Sequence, residues 1–377
     1  MSKTLEAQYQ ALPEQLKATL TRYGFDLAQF LELASRVKAG KIEDNYVKGE
    51  LQPPKPEDVQ SLPAKDTPAY AELVALGEEE LRAGRVALAV LAGGMATRMG
   101  GVVKALVEAL PGKTFLDLRL QEIESNRQKY GKAPPLWLMA SYSTEGPLRQ
   151  ALGARVDHDK IGLFTQFISL RVTPEGELFL DAQGKPSEHA KGHGDFPEAL
   201  QRSGLLQRFV DGGGRVVMLT NLDNLGGTLD PAIIGWHVKH GQPVTMEVVD
   251  KLPSDRGGIP IYVDNVLSML EEFRIPPSFD PATVRVFNTN VFHFDARALN
   301  ELKMNWTYFQ VNKKVDSKPV VQFERLVNEI AGKLPTRYLL VPREGVESRF
   351  LPVKDNEELV QRRAENEAVA RARGMIA

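Results

Sequence analysis

An α/β fold, with a mostly parallel mixed sheet flanked by helices, is predicted by three features of this 377-residue chain. From Arg85 onward, short apolar runs alternate with helix-like stretches, the pattern of strands that lead into helices. The runs are β-branched and aliphatic with little polar alternation, as strands buried on both faces require. The third feature is segment 85–104, RVALAVLAGGMATRMGGVVK, in which the first such run opens into a glycine-rich loop. Ligands of open α/β sheets sit beyond the carboxyl ends of the strands, and this loop occupies one such end.

In chain order, residues 1–50 are expected to be helical, with Leu27, Phe30, Leu31, Ala34 and Val37 on one face at helical spacing. Pro53, Pro54, Pro56, Pro63 and Pro68 then rule out a continuous helix. Thr67-Pro68 reads as an N-cap followed by proline at the first helical position, with Gly84 as the stop. Strands are predicted at 86–91, 135–140, 163–168, 216–220, 244–249, 284–294 and 338–341. Helices are predicted at 117–130, 231–240, 296–303 and 320–331. The Glu/Arg/Ala-rich stretch 355–373 is expected to form a helix, with Asp355 and Glu358 in capping-box spacing.

Composition narrows the function. Forty-seven Lys and Arg against 49 Asp and Glu give a net charge of −2, and no electrostatic reason to expect nucleic acid or an anionic membrane as partner. The absence of cysteine excludes disulfides, thiolate nucleophiles, iron–sulfur clusters and Cys-ligated zinc. The N-terminus lacks the apolar core of a signal peptide, and no apolar run approaches the roughly 18 residues of a membrane span. A cytoplasmic protein is expected.

Gly93, Gly94, Gly100 and Gly101 allow sharp turns and close approach of backbone N–H groups to an anion, while Arg98 and Lys104 add charge. A nucleoside triphosphate or similar polyphosphate is the ligand this suits, although an ordinary strand-to-helix turn fits the loop equally. Neither the P-loop ending Gly-Lys-Ser/Thr nor the dinucleotide fingerprint G-x-G-x-x-G is present. Four further segments carry polar residues where a site would want them. His193 lies between Gly192 and Gly194, as a ligand contact or as a solvated turn. Asp223, just past the 216–220 run, can hold Mg²⁺ on phosphate oxygens or cap a turn. Asn288 and Asn290 interrupt an apolar strand, where sugar hydroxyls or neighbouring backbone would satisfy their amides. Lys354 ends the run RFLPVK, as an anion ligand or as a solvated lysine.

Taken in order, these segments resemble the eukaryotic-type UTP–glucose-1-phosphate uridylyltransferases, also called UDP-glucose pyrophosphorylases. The matching landmarks are LAGGMATRMG, TFLDLRLQEIE (114–124), LMASYST (138–144), FTQ (164–166), GHGD (192–195), SGLL (203–206), NLDNLG (221–226), TMEVVDK (245–251), FNTN (287–290) and SRFLPVK (348–354). They span roughly residues 70–360. The resemblance implies a Rossmann-like nucleotidyltransferase core at 67–354, preceded by a helical segment and Pro-rich connector (1–66) and followed by a helical tail (355–377). It implies transfer of UMP from UTP to glucose 1-phosphate, with Mg²⁺ as cofactor.

It also implies roles. Gly93 and Gly94 would line the nucleotide, with Lys104 on its phosphates. Met139 and Gln166 would contact the uracil side, Gly192 would lie against the nucleotide, and His193 would touch phosphate and sugar. Asn221 and Asp223 would sit at ribose and phosphate, Asp223 holding Mg²⁺. Glu271, Asn288 and Asn290 would hold glucose hydroxyls, and Lys354 the sugar phosphate; Arg98 would assist Lys104. Three departures stand out. Ala96 replaces the loop glycine, which would be strained if φ there were positive, and Val103 replaces the proline before the lysine in a loop one residue shorter. The chain also stops soon after Lys354 without the family's β-helical domain, from which a monomer is expected. Two other readings stay open: another sugar 1-phosphate such as N-acetylglucosamine 1-phosphate, and a silent UDP-sugar-binding sensor.

Overall fold

The computed structural model describes residues 4–40, 45–96, 100–157 and 160–377. At its centre is an eight-stranded sheet. Its strands in chain order are β1 (Val59–Ser61), β2 (Val86–Leu91), β3 (Leu136–Ala140), β4 (Ile161–Thr165), β5 (Val216–Asn221), β6 (Val244–Asp250), β7 (Val286–Asp295) and β8 (Thr336–Leu340). In space they run β1-β8-β6-β7-β5-β2-β3-β4. Only β7 is antiparallel to its neighbours β5 and β6; the other pairings are parallel. The carboxyl ends of the other strands therefore share one edge, and that edge carries the site.

Side chains alternate between two cores. Ala87 and Ala89 of β2 join Trp137, Val217, Leu219, Met246 and Phe292 on one face; Val86, Leu88 and Val90 join Leu136, Leu138 and Met218 on the other. Burial on both faces is why these runs show no polar alternation. Helix Pro68–Ala83 begins with Thr67 accepting from the Tyr70 amide and stops at Gly84, left-handed at φ 73°. It crosses helix Pro231–His240 closely: a Cβ on Gly77 would lie 1.9 Å from the Pro231 carbonyl oxygen, and one on Gly235 1.9 Å from that of Leu73.

Several expectations are corrected. Segment 320–331 is not a helix. Lys318–Glu324 is a strand of a hairpin with Phe309–Val315, turned by Asp316 and Ser317 at φ 49° and 63°, and a 3₁₀ turn follows at Val327–Gly332. Primed two-residue turns match strand twist, and this one overrides the helical spacing of the apolar residues. The 163–168 run divides into β4 and Ile168–Leu170, and the C-terminal stretch into helices Asn356–Gln361 and Arg363–Ala372. Residues 45–50 are not helical. The hairpin Gly258–Val263/Val266–Glu271 had no counterpart among the predicted strands. Within the proline-rich connector, Val59–Ser61 becomes the edge strand β1. The N-terminal helices bury Leu20, Phe30 and Leu33 against Ile168, Leu170, Val321 and Phe323.

Candidate active site

The ends of β2, β3 and β4 meet at Gly93. A Cβ there would fall 2.4 Å from the Gln166 Nε2, and the Gly93 carbonyl accepts from the Ser141 hydroxyl at 2.9 Å. Glycine is thus required for Gln166 to reach across. Met139 is 2 % exposed and sits in the sheet core, while its carbonyl accepts from the Ala92 amide at 2.9 Å. Beyond Gly94, Met95–Ala96 pairs with Val102–Val103. Gly100 and Gly101, at φ 89° and 74°, turn the chain there. Ala96 is not among the residues with positive φ, so its methyl group carries no strain. Val103 has φ −65°, the value a proline ring imposes. Arg98 lies outside the described residues.

Two separate segments converge on Asp223. The Lys104 ammonium donates to its Oδ2 at 2.7 Å, and the Val353 amide donates to the same oxygen at 3.2 Å. Oδ1 has no partner among the described residues. Lys354, the next residue after Val353, has an exposed side chain, and its amide donates to Glu358 Oε2 at 2.7 Å. Asp355 caps the helix by accepting from the Glu358 amide. Lys104 therefore pairs with this carboxylate directly, while Lys354 is brought next to it only through the amide of Val353, although 250 residues separate the two lysines in sequence.

The amides form a chain. Asn290 Nδ2 donates to Asn221 Oδ1 at 2.8 Å, and the Asn290 amide donates to Asn288 Oδ1 at 2.8 Å. A β-bulge makes this possible: Glu247 pairs with Val291 and Val248 with Asn288, leaving Thr289 and Asn290 unopposed. Asn290 adopts φ 59°, which asparagine tolerates better than most residues. Its Oδ1 is buried without a partner among the described residues, an unsatisfied acceptor suited to a ligand hydroxyl. Glu271 joins the chain through Asn328, and burial pushes its carboxyl up to about 7.

His193 lies beside this group. Its Nδ1 accepts from the Val327 amide at 3.1 Å, so the ring is neutral with its proton on Nε2. The residue keeps some surface exposure, yet burial of the ring lowers its pKa to about 4. Gly192, at φ 99°, and Gly194 both press against Arg325, where a Cβ would come within 2.7 Å and 2.6 Å of its backbone. Asp195 anchors the turn, accepting from the Phe167 amide at 2.7 Å and from Arg325 Nε at 2.5 Å.

Sequence reading missed the residues that brace these loops. Arg119, fully buried, donates to the carbonyls of Asn221, Asn224 and Gly227. Asn224 bonds the Arg349 carbonyl at 3.0 Å and the Leu351 amide at 2.8 Å. Arg349 is buried in a bidentate pair with Glu247, at 2.8 and 2.5 Å, and Glu247 also meets His293 at 2.8 Å. Burial would raise the Glu247 carboxyl, but Arg349 outweighs it and holds it down at about 2. The available signal was a charged residue inside an apolar motif, which a buried ion pair explains.

Comparison with known proteins accords with this geometry. A model of the family "UTP–glucose-1-phosphate uridylyltransferase" matches residues 27–371. The chain belongs to that family. A UTP–glucose-1-phosphate uridylyltransferase of Encephalitozoon cuniculi is 31% identical over 286 residues, covering 72% of this chain and 56% of that protein. One from Dictyostelium discoideum is 31% identical over 322 residues, covering 80% and 63%; one from Hordeum vulgare is 28% identical over 363, covering 89% and 74%. The chain thus spans only about three-fifths of the length of the first two relatives. Among solved structures, a mutant UDP-glucose pyrophosphorylase from Leishmania major in complex with UDP-glucose aligns with TM-score 0.73 at 23% identity, covering 96% and 79%. A uridine diphosphate N-acetylglucosamine pyrophosphorylase from Trypanosoma brucei aligns at 0.72 and 19%, covering 93% and 79%. These likenesses show the shared fold. Two sugars occur among proteins of this fold, so the fold alone does not choose between them.

Proposed function

We propose that this family member transfers UMP from UTP to glucose 1-phosphate, releasing pyrophosphate. The observation that carries the reading is the meeting of Lys104, Asp223 and the segment ending in Lys354 at one edge of the sheet. A sugar-phosphate oxygen attacks the α-phosphorus of UTP in line, the bond to the β-phosphate oxygen breaks, and pyrophosphate leaves. Two anions must approach each other, so the reaction needs cations on both sides and precise placement more than covalent chemistry. Lys104 serves the triphosphate and its leaving pyrophosphate, with Arg98 beside it in sequence. Lys354 serves the sugar phosphate. Gly93, Gly94, Gln166, Gly192 and Asn221 enclose the nucleotide, with Met139 beneath it. His193 donates from Nε2 to phosphate or sugar, and Glu271, Asn288 and Asn290 take the glucose hydroxyls.

The residues present fit Mg²⁺, which is commonly held by one or two carboxylates together with substrate phosphates. Among the described residues no group of three or more His, Cys, Asp or Glu is close enough to cage a metal, and Asp223 offers a free Oδ1 within the site. Asp223 would hold the ion, which when bound supplies Lewis-acid polarisation of phosphoryl oxygens. Pyrophosphate release from UTP with a panel of sugar 1-phosphates tests the reading. Glucose 1-phosphate should give the highest kcat/KM. Preference for N-acetylglucosamine 1-phosphate would replace the substrate, and UDP-glucose binding without turnover would replace the enzyme by a sensor.

A further inference from the structure

Resting on the reading that Glu271 and Asn288 hold glucose hydroxyls, we propose that Asn328 is a positioning residue for the sugar, fixing those two side chains relative to each other. Asn328 is 2 % exposed and stands on the 3₁₀ turn Val327–Gly332. Its Nδ2 donates to Glu271 Oε1, and its Oδ1 accepts from Asn288 Nδ2 at 3.2 Å. Glu271 comes from the hairpin strand Val266–Glu271 and Asn288 from β7, so one carboxamide joins two elements that belong to different sheets. An asparagine side chain supplies both donor and acceptor, as this bridge requires.

The backbone of the neighbouring hairpin strand packs closely against this bridge. A Cβ on Gly258 would lie 3.2 Å from Asn328 Nδ2, from Glu271 Oε1 and from Asn288 Cβ alike. Glycine at 258 thus lets that strand approach all three groups, which a side chain there would press apart. The turn is pinned from the other side by His193, which accepts from the amide of Val327, the residue before Asn328. The unsatisfied Asn290 Oδ1 completes the set. Asn328 thus connects the proposed phosphate contact with the proposed hydroxyl contacts. The hydrogen bond it donates also favours the ionised form of Glu271, against burial, which raises its pKa.

The charged groups on the elements around Glu271 are few. Glu272 follows it and faces Arg256 at 3.5 Å; Glu329 follows Asn328 and faces Arg274 at 3.6 Å; β7 presents amides, and the GHGD turn presents neutral His193. Loss of the Asn328 donor should therefore act on Glu271 directly. In Asn328→Ala and in the near-isosteric Asn328→Asp, the KM for glucose 1-phosphate should rise about tenfold or more, with the KM for UTP within about twofold of wild type. The acidic limb of kcat/KM for the sugar should move to higher pH. It should move further in Asn328→Asp, where two carboxyls compete for one proton. Retained UTP KM shows that the fold survives, and Asn328→Asp carries the test if Asn328→Ala does not fold. An active wild type whose variants keep the sugar KM and the limb unchanged, or lose both KM values equally, overturns this inference alone. A wild type that turns over no sugar 1-phosphate overturns the functional reading and this role with it.

Discussion

Asp223 is the residue on which the proposed chemistry turns, because it faces a cation from the nucleotide loop and an amide from the segment ending in Lys354. Asp223→Asn keeps the shape and removes the charge. Its kcat for pyrophosphate release at saturating Mg²⁺ should fall by about a hundredfold or more, since a metal's electrostatic role is worth several kcal/mol; unchanged turnover would remove Asp223 from the mechanism. Glu271 should reveal itself in stability. Its pKa rises from the ordinary carboxylate range to about 7 on folding, so between those values the native state binds the extra proton. Stability from this group is then present at low pH and lost as pH rises through 7. Glu271→Gln should therefore raise Tm relative to wild type more at about pH 8 than at about pH 5.5, and an equal shift at both would contradict the burial of that charge. Ala96 gives a third check. Its φ is not positive, so Ala96→Gly should bring no gain in UTP affinity and cost about 0.5–1 kcal/mol in denaturant unfolding.

At the scale of elements, the strands leading to the site were legible because each is a short apolar run with a polar or glycine break at its carboxyl end. β2 and helix Pro231–His240 have the predicted limits. The FNTN interruption proved to be a bulge, which is why amides could occur inside an apolar strand. What was not legible depended on partners remote in sequence. Segment 320–331 was read as helix, which hid both its hairpin strand and Asn328, because spacing of apolar residues alone cannot tell a buried strand from a buried helix. Arg119 and Arg349 sit inside matched motifs, but the carbonyls that Arg119 braces and the Glu247 partner of Arg349 lie about a hundred residues away. Those braces are testable. Arg349→Ala leaves Glu247 buried beside His293 without its guanidinium, and the protein should lose about 3–5 kcal/mol of unfolding free energy. A loss below about 1 kcal/mol would show that the pair does not hold the 348–354 segment in place.

At the scale of the whole molecule, the shared edge of the sheet sorts the contacts into two sides. The ends of β2, β3 and β4 carry Gly93, Ser141 and Gln166, while β7 and the hairpin Gly258–Val263/Val266–Glu271 carry Asn288, Asn290 and Glu271. β5 lies between, with Asn221 bonded to Asn290 and Asp223 to Lys104. Among the described residues no helix is long and apolar enough to cross a membrane, and the near-neutral charge leaves substrate attraction to local cations. The central claim is that two phosphates meet across Asp223, the triphosphate on the Lys104 side and the sugar phosphate on the Lys354 side. Calorimetric titration of UTP and of glucose 1-phosphate into Lys104→Ala and Lys354→Ala tests it most directly. Lys354→Ala should weaken glucose 1-phosphate and leave UTP nearly intact, with Lys104→Ala the reverse; a Lys354→Ala protein that loses UTP and keeps the sugar phosphate would contradict the division.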